Sequence, residues 1–151
     1  MRRFHTLTLS VFCRPKDEDE ALAKEKLAAF FPFDLKQEKV LLEVQHATGF
    51  NNSPISILSV TITKEAHLTK FFDALLARLN EEQKRAILQE TGSRLDAELC
   101  FYLRFDKRQW NEHGELWIVD HGNCYHCKAT VAAFPKKREP ALNVIKGVFS
   151  N

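Results

Sequence analysis

Several of the commonest enzyme signatures are missing from this chain. Glycine is scarce, five in 151 residues, and none of the five falls in a G-x-x-x-x-G-K or G-x-G-x-x-G pattern, so no phosphate-cradling loop or dinucleotide fingerprint is encoded. There is also no H-E-x-x-H and no G-x-S-x-G. Apolar runs are too short for a membrane span, and Met1-Arg2-Arg3-Phe4 leads into alternating rather than continuous apolar residues. No signal peptide or anchor is therefore read here, and the expectation is a cytoplasmic protein without membrane contact. The four cysteines, at 13, 100, 124 and 127, read as reduced thiols in such a chain. Cys124-Tyr-His-Cys127 is the only metal-like spacing, but tetrahedral zinc needs a second pair, and positions three apart on a strand point to opposite faces. No metal or other cofactor is expected.

Charge of one sign is also lacking. The formal net charge of +2 is too small to argue for nucleic acid by itself, yet it is unevenly spread. Residues 1–98 carry 14 basic and 15 acidic side chains, residues 99–151 carry 8 and 5, so any basic surface comes mainly from the second half. What the chain does have is an ordinary globular composition, 44% hydrophobic and 28% charged. That suffices for a single domain over 1–151 with a core that needs neither disulfides nor metal.

The stretch Leu99 to Lys107, L-C-F-Y-L-R-F-D-K, organises the rest. Alternate side chains of a strand face opposite ways. Leu99, Phe101, Leu103 and Phe105 form a core face; Cys100, Tyr102, Arg104 and Asp106 form the other. That second face sets an aromatic ring beside a guanidinium, with Lys107 and Arg108 where the strand ends, a combination suited to stacking on a base and pairing with a phosphate. The plainer reading of Tyr102 and Arg104 is the wet side of a half-covered antiparallel sheet.

Earlier in the chain, Leu7, Leu9, Val11 and Cys13 alternate with Thr6, Thr8 and Ser10, a first strand. Asp17 to Glu20 place acids in the first turn of a helix that ends near Phe31-Pro32. Val40 to Ala47 and Ser56 to Thr63 alternate as second and third strands, joined through T-G-F-N-N-S-P-I. Gly49, Asn51, Asn52 and Pro54 make that loop a hairpin connection of about six residues, and a loop candidate for binding through backbone amides. Thr63 is placed to cap a helix whose stripe is Leu68, Phe71, Phe72, Leu75, Leu76 and Leu79, and Asn80 with Gln83 forms a capping box for the next. Beyond the organising strand, Trp110 to Gly114 reads as a turn, Glu115 to Asp120 as a short strand, Tyr125 to Phe134 as the last strand. A final helix then begins near Pro140.

The order is β-α-β-β-α-α-β-β-β-α: an α+β domain of two layers, with helices on one side of a mainly antiparallel sheet. The open side collects Thr6, Thr8, Ser10, Glu43, Gln45, Ser59, Thr61, Tyr102, Arg104, His126, Lys128 and Thr130. Such a face can hold single-stranded RNA, pack on another subunit, or remain in water. Asp106, Glu115 and Asp120 could gather a divalent ion for phosphodiester cleavage, but their spacing does not demand it, and no enzymatic activity is expected.

Four stretches, G-F-N-N-S-P-I at Gly49 to Ile55, F-Y-L-R-F-D-K at Phe101 to Lys107, G-E-L at Gly114 to Leu116 and F-P-K-K-R-E-P-A at Phe134 to Ala141, together resemble an archaeal family of domains of unknown function, described as RNA-binding, exosome-associated proteins. The resemblance covers nearly the whole chain. It implies a fold similar to that of a large-subunit ribosomal protein, RNA as partner, and exosome or ribosome components as further partners. The chain departs from the family pattern at Gly122 to Cys127, where the family carries an aspartate-containing turn. On the residues themselves, the RNA-contacting candidates are Tyr102, Arg104, Lys107, Arg108, Lys128, Lys136, Lys137 and Arg138. The competing reading is a structural or interaction module that forms a homodimer or docks on a protein complex through its sheet face or an exposed strand edge.

Overall fold

A computed structural model describes residues 2–150. Five strands, β1 (Phe4–Cys13), β2 (Leu42–Thr48), β3 (Pro54–Ile62), β4 (Cys100–Asp106) and β5 (Cys124–Val131), form one sheet in the order β2-β3-β1-β5-β4. Every neighbouring pair is antiparallel. Six α-helices lie among the described residues: α1 (Glu20–Ala28), α2 (Glu65–Arg78), α3 (Glu81–Gln89), α4 (Thr91–Arg94), α5 (Lys107–His113) and α6 (Arg138–Phe149).

Alternation decides which side of the sheet is dry. Leu7, Leu9 and Val11 of β1, Leu58 and Val60 of β3, Phe101, Leu103 and Phe105 of β4 and Cys127 and Ala129 of β5 are all buried in one apolar cluster. Phe71, Phe72 and Leu75 of α2, Ile87 of α3 and Ala141, Ile145 and Val148 of α6 enter the same cluster, so the helices lie against that face. The two-layer α+β arrangement matches the expected architecture. No helix of the described residues is long and apolar enough to cross a membrane.

Local chemistry sets the element ends. Asp19 accepts from the amides of Ala21 and Leu22 and caps α1. Only Glu20 therefore lies in the first turn; Asp17 and Glu18 precede the helix. Asn80 and Gln83 exchange both bonds of a capping box at α3. Thr63 does not cap α2, whose N-cap is Lys64 without a side-chain bond. Between β2 and β3 the chain reverses through a short 3-10 turn at Phe50–Asn52, with Asn51 and Asn52 left-handed at φ 59° and 58°, a conformation asparagine tolerates better than most residues. A Cβ on Gly49 would press on the end of the Ile55 side chain, which would have to shift.

Two further expectations are corrected. Glu115 to Asp120 is not a sixth strand; only Ile118 bridges to Phe105, with the Val119 amide donating to Arg104 and the Asp106 amide to Trp117. This segment instead lies along the outer edge of β4, where Leu95 also bridges to Phe101, and together they blunt that edge. Where a turn was expected, residues 107–113 are helical: Asp106 caps the helix by accepting from Gln109, and Gly114 ends it at φ 65°.

Candidate functional site

On the side of the sheet away from the helices, the pairing register lines polar side chains into rows. Glu43, Ser59, Ser10, His126 and Arg104 are successive partners across all five strands. Thr61, Thr8, Lys128 and Tyr102 make the next row, and Thr6 and Thr130 continue it toward the start of β1. Hydroxyls join neighbours within rows: Thr8 to Thr61 at 2.8 Å and Thr6 to Thr130 at 3.1 Å. The polar face expected from alternation is continuous in the structure.

At its β4–β5 end the face is basic and aromatic. The Lys128 ammonium lies 6.0 Å from the centre of the Tyr102 ring, the two residues facing each other across the strands. Tyr102 is half-buried, and its hydroxyl donates to Asp96 at 2.9 Å. Burial, and the Asp96 carboxylate that holds its proton, push the Tyr102 phenol up to about 12. Asp96 in turn accepts from the backbone amides of Cys100 and Glu98, and these bonds, led by that of Cys100, hold its carboxyl below the usual range. Arg104 is half-buried beside His126, and its guanidinium has no hydrogen-bond or ion-pair partner among the described residues. Burial, then the Arg104 charge, lower the His126 pKa, so the imidazole is neutral at pH 7.

The remaining candidates separate. Lys136 and Lys137 are exposed beyond the end of β5 and line a cleft with Lys128, Thr130 and Arg138, to which Asp96 and Glu98 also contribute. Arg138 reaches back to donate to the carbonyls of Leu95 and Gly92, so it ties α6 to the end of α4. Arg108 lies past Asp106, at the opposite end of the sheet, paired with Glu112 at 3.1 Å. Lys107 is buried, its ammonium 2.6 Å from Glu18 and 2.7 Å from the Phe12 carbonyl. It follows the last residue of β4 and turns inward with α5, which removes it from the open surface. The loop of Gly49, Asn51, Asn52 and Pro54 sits at the β2–β3 hairpin tip, past the end of β1 and away from Lys136 and Lys137. Tyr102, Arg104 and Lys128 are neighbours in the β4–β5 register, and Lys128, Lys136, Lys137 and Arg138 line one cleft.

Of four exposed aromatic rings, Phe12, Phe50, Trp117 and Phe134, two adjoin the candidate residues, and both escaped the sequence reading. Phe12 is 51% exposed on the polar face, 6.2 Å from His126, and Phe134 is 97% exposed just before Lys136 and Lys137. A signal existed for both: Phe12 shares the parity of Thr6, Thr8 and Ser10, and Phe134 shares that of His126, Lys128 and Thr130.

The carboxylates and thiols have separate structural positions. Asp106 caps α5, Glu115 accepts from the Trp117 indole at 3.2 Å, and Asp120 lies 3.5 Å from Arg94. No three His, Cys, Asp or Glu among the described residues are grouped to hold a metal ion. Cys124 lies on the polar face, 3.7 Å from His126, whereas Cys127 points into the core, where burial pushes its thiol up to about 12.

The family model described as RNA binding matches residues 6–131. RNA-binding protein PAB1135 of Pyrococcus abyssi is 25% identical over 142 residues, covering 94% of this chain and 91% of that protein. Among solved structures, protein AF2318 from Archaeglobus fulgidus superposes with a TM-score of 0.83 at 26% identity, over 96% of this chain and 99% of that one. Mth689 of Methanothermobacter thermautotrophicus, a DUF54 protein, gives 0.78 at 25% identity over 97% and 98%. With its match running from the first strand to the end of the last, the chain belongs to this RNA-binding family.

Proposed function

We propose that this chain is a non-catalytic RNA-binding protein that works in the cytoplasm beside exosome or ribosome-related machinery, and that RNA lies on the β4–β5 end of the open sheet face. The observation that carries the reading is Arg104: a guanidinium without a hydrogen-bond or ion-pair partner among the described residues, on the edge strand β4 of the polar face, opposite His126 and diagonal to Lys128. Lys136 and Lys137 extend this charge past the end of β5. Phosphate contacts of this kind position RNA, and the flanking rings and polar side chains act on its bases. The name of the Pyrococcus relative and the family description support the same reading.

The test is a binding titration with the Arg104→Ala and Lys128→Ala variants, singly and combined. Each contact removed should weaken RNA binding and make it less sensitive to salt. Binding that is unchanged in the double variant would sink the placement on this face. Incubation of the complex with magnesium or manganese should leave the RNA intact; cleavage would overturn the non-catalytic part. Tighter binding of ribosomal RNA fragments than of unrelated RNA would support the ribosome-related role and the kinship with a ribosomal protein.

One observation favours a second use. Among the described residues β2 pairs only with β3, which leaves its outer edge open, and an open edge can accept a strand of a second copy. Sedimentation with and without RNA separates the two: a dimer formed through this edge, across the sheet from β4–β5, should persist when RNA binds.

A further inference from the structure

We infer that the ligand of this face is single-stranded RNA with unstacked bases rather than duplex, because the basic surface is flanked by two exposed phenylalanine rings. This rests on the RNA-binding reading above and narrows it. Duplex RNA presents phosphates and ribose hydroxyls to a protein and keeps its base faces covered, so a surface built for it has no use for an uncovered ring. Phe134 is such a ring: 97% exposed, with Lys136 and Lys137 only two and three residues away. Phe12 is the second, 51% exposed beside the neutral His126 imidazole.

Their positions define a path. Phe12 lies two residues beyond Ser10, which faces His126, so it marks the start of β5; Phe134 follows the end of that strand. The eight residues of β5 between them cover about 26 Å, at roughly 3.3 Å for each residue of the strand. Along this path an RNA chain passes Arg104 and Lys128 and reaches Lys136 and Lys137. Base–aromatic stacking at the two ends with phosphate pairing between them is the arrangement by which single strands are held without sequence preference. Neither ring belongs to the core cluster, so both can be changed without opening the core.

The experiment is a titration of the intact protein with a mixed-sequence single-stranded oligoribonucleotide and with the duplex formed by annealing it to its complement, each at two salt concentrations. Wild type should bind the single strand at least about tenfold more tightly. Phe134→Ala and Phe12→Ala should each lose on the order of 5- to 100-fold on the single strand and leave duplex binding unchanged, while Phe134→Trp, which keeps a stacking surface, should hold its affinity. Salt-dependent binding that is equal for both RNAs and indifferent to the two Ala variants would overturn the inference and leave the RNA-binding reading standing. A single-strand preference that survives loss of both rings would equally overturn it. Absence of salt-dependent binding to either RNA would instead overturn the RNA-binding reading itself.

Discussion

The Lys107 ammonium donates to the Glu18 carboxylate at 2.6 Å and to the Phe12 carbonyl at 2.7 Å, joining the end of β4 to the loop before α1. Burial alone would raise the Glu18 carboxyl, but the Lys107 hydrogen bond and the Arg14 amide outweigh it and hold it below the usual range. The lysine is thus a fold-stabilising cation. Lys107→Ala leaves a half-buried carboxylate without its partner, and because Glu18 keeps some water contact the cost should be about 2 to 3 kcal/mol, below that of a fully buried pair. Denaturant unfolding would measure this. RNA affinity should match wild type where the variant is folded.

The basic run at 136–138 divides between two tasks. All three are exposed and line the same cleft, but the Arg138 guanidinium is also held by the Leu95 and Gly92 carbonyls. Replacing both lysines with Ala should lower affinity for unrelated single-stranded RNAs to a similar degree and flatten the slope of log K against log salt by about 1.4, two contacts at roughly 0.7 each. Arg138→Ala should leave that slope unchanged and reduce stability by about 1 to 2 kcal/mol. A larger slope change for Arg138→Ala than for the two lysines would reverse these roles.

This division shows what the sequence could and could not reveal. Alternation at Leu7 to Cys13 and Phe101 to Phe105 is a local signal, and the two faces it implied are present. The Asn80–Gln83 capping box is likewise local. Glu115 to Asp120 misled because apolar residues occur there on both parities, while ladder hydrogen bonds form only around Ile118. Residues 107–113 have only Trp110 and Lys107 buried, too few for helical periodicity; the Asp106 cap and Gly114 were the usable signals. The burial of Lys107 depends on Glu18 and Phe12, distant in sequence, and no local pattern could disclose it.

His126 supplies a pH dependence. Its folded-state pKa is lowered by burial and by Arg104, so the unfolded chain binds more protons as pH falls through about 6.5, the ordinary histidine value. Stability contributed by the neutral imidazole is complete above that value and is lost below it. The melting temperature should therefore drop more between pH 7.5 and 5.5 in wild type than in His126→Gln. A phosphate beside the ring would favour the charged form, so RNA affinity should rise over the same interval in wild type and rise less in the variant. Identical pH profiles for the two proteins would remove His126 from both effects.

The two faces of β4 can be separated at neighbouring residues. Phe101 and Phe105 are 1% and 0% exposed within the core cluster, and Phe101 lies 5.8 Å from the Phe149 ring. Phe101→Ala or Phe105→Ala should open a cavity and cost about 3 to 5 kcal/mol. Tyr102 is on the open face, where its hydroxyl bonds Asp96 and its ring meets Lys128. Tyr102→Ala should cost about 1 kcal/mol, mainly the lost hydrogen bond, and Tyr102→Phe a similar amount, because it loses the same bond and keeps the ring. The binding readout separates those two variants. If a base stacks on Tyr102, the Ala variant should weaken RNA binding by about 1 to 3 kcal/mol and the Phe variant much less. If the ring only orients Lys128 and Asp96, both should bind nearly as wild type. A Tyr102→Ala protein as unstable as Phe101→Ala would mean that Tyr102 is a packing residue, and the wet face of the sheet would then end at Lys128.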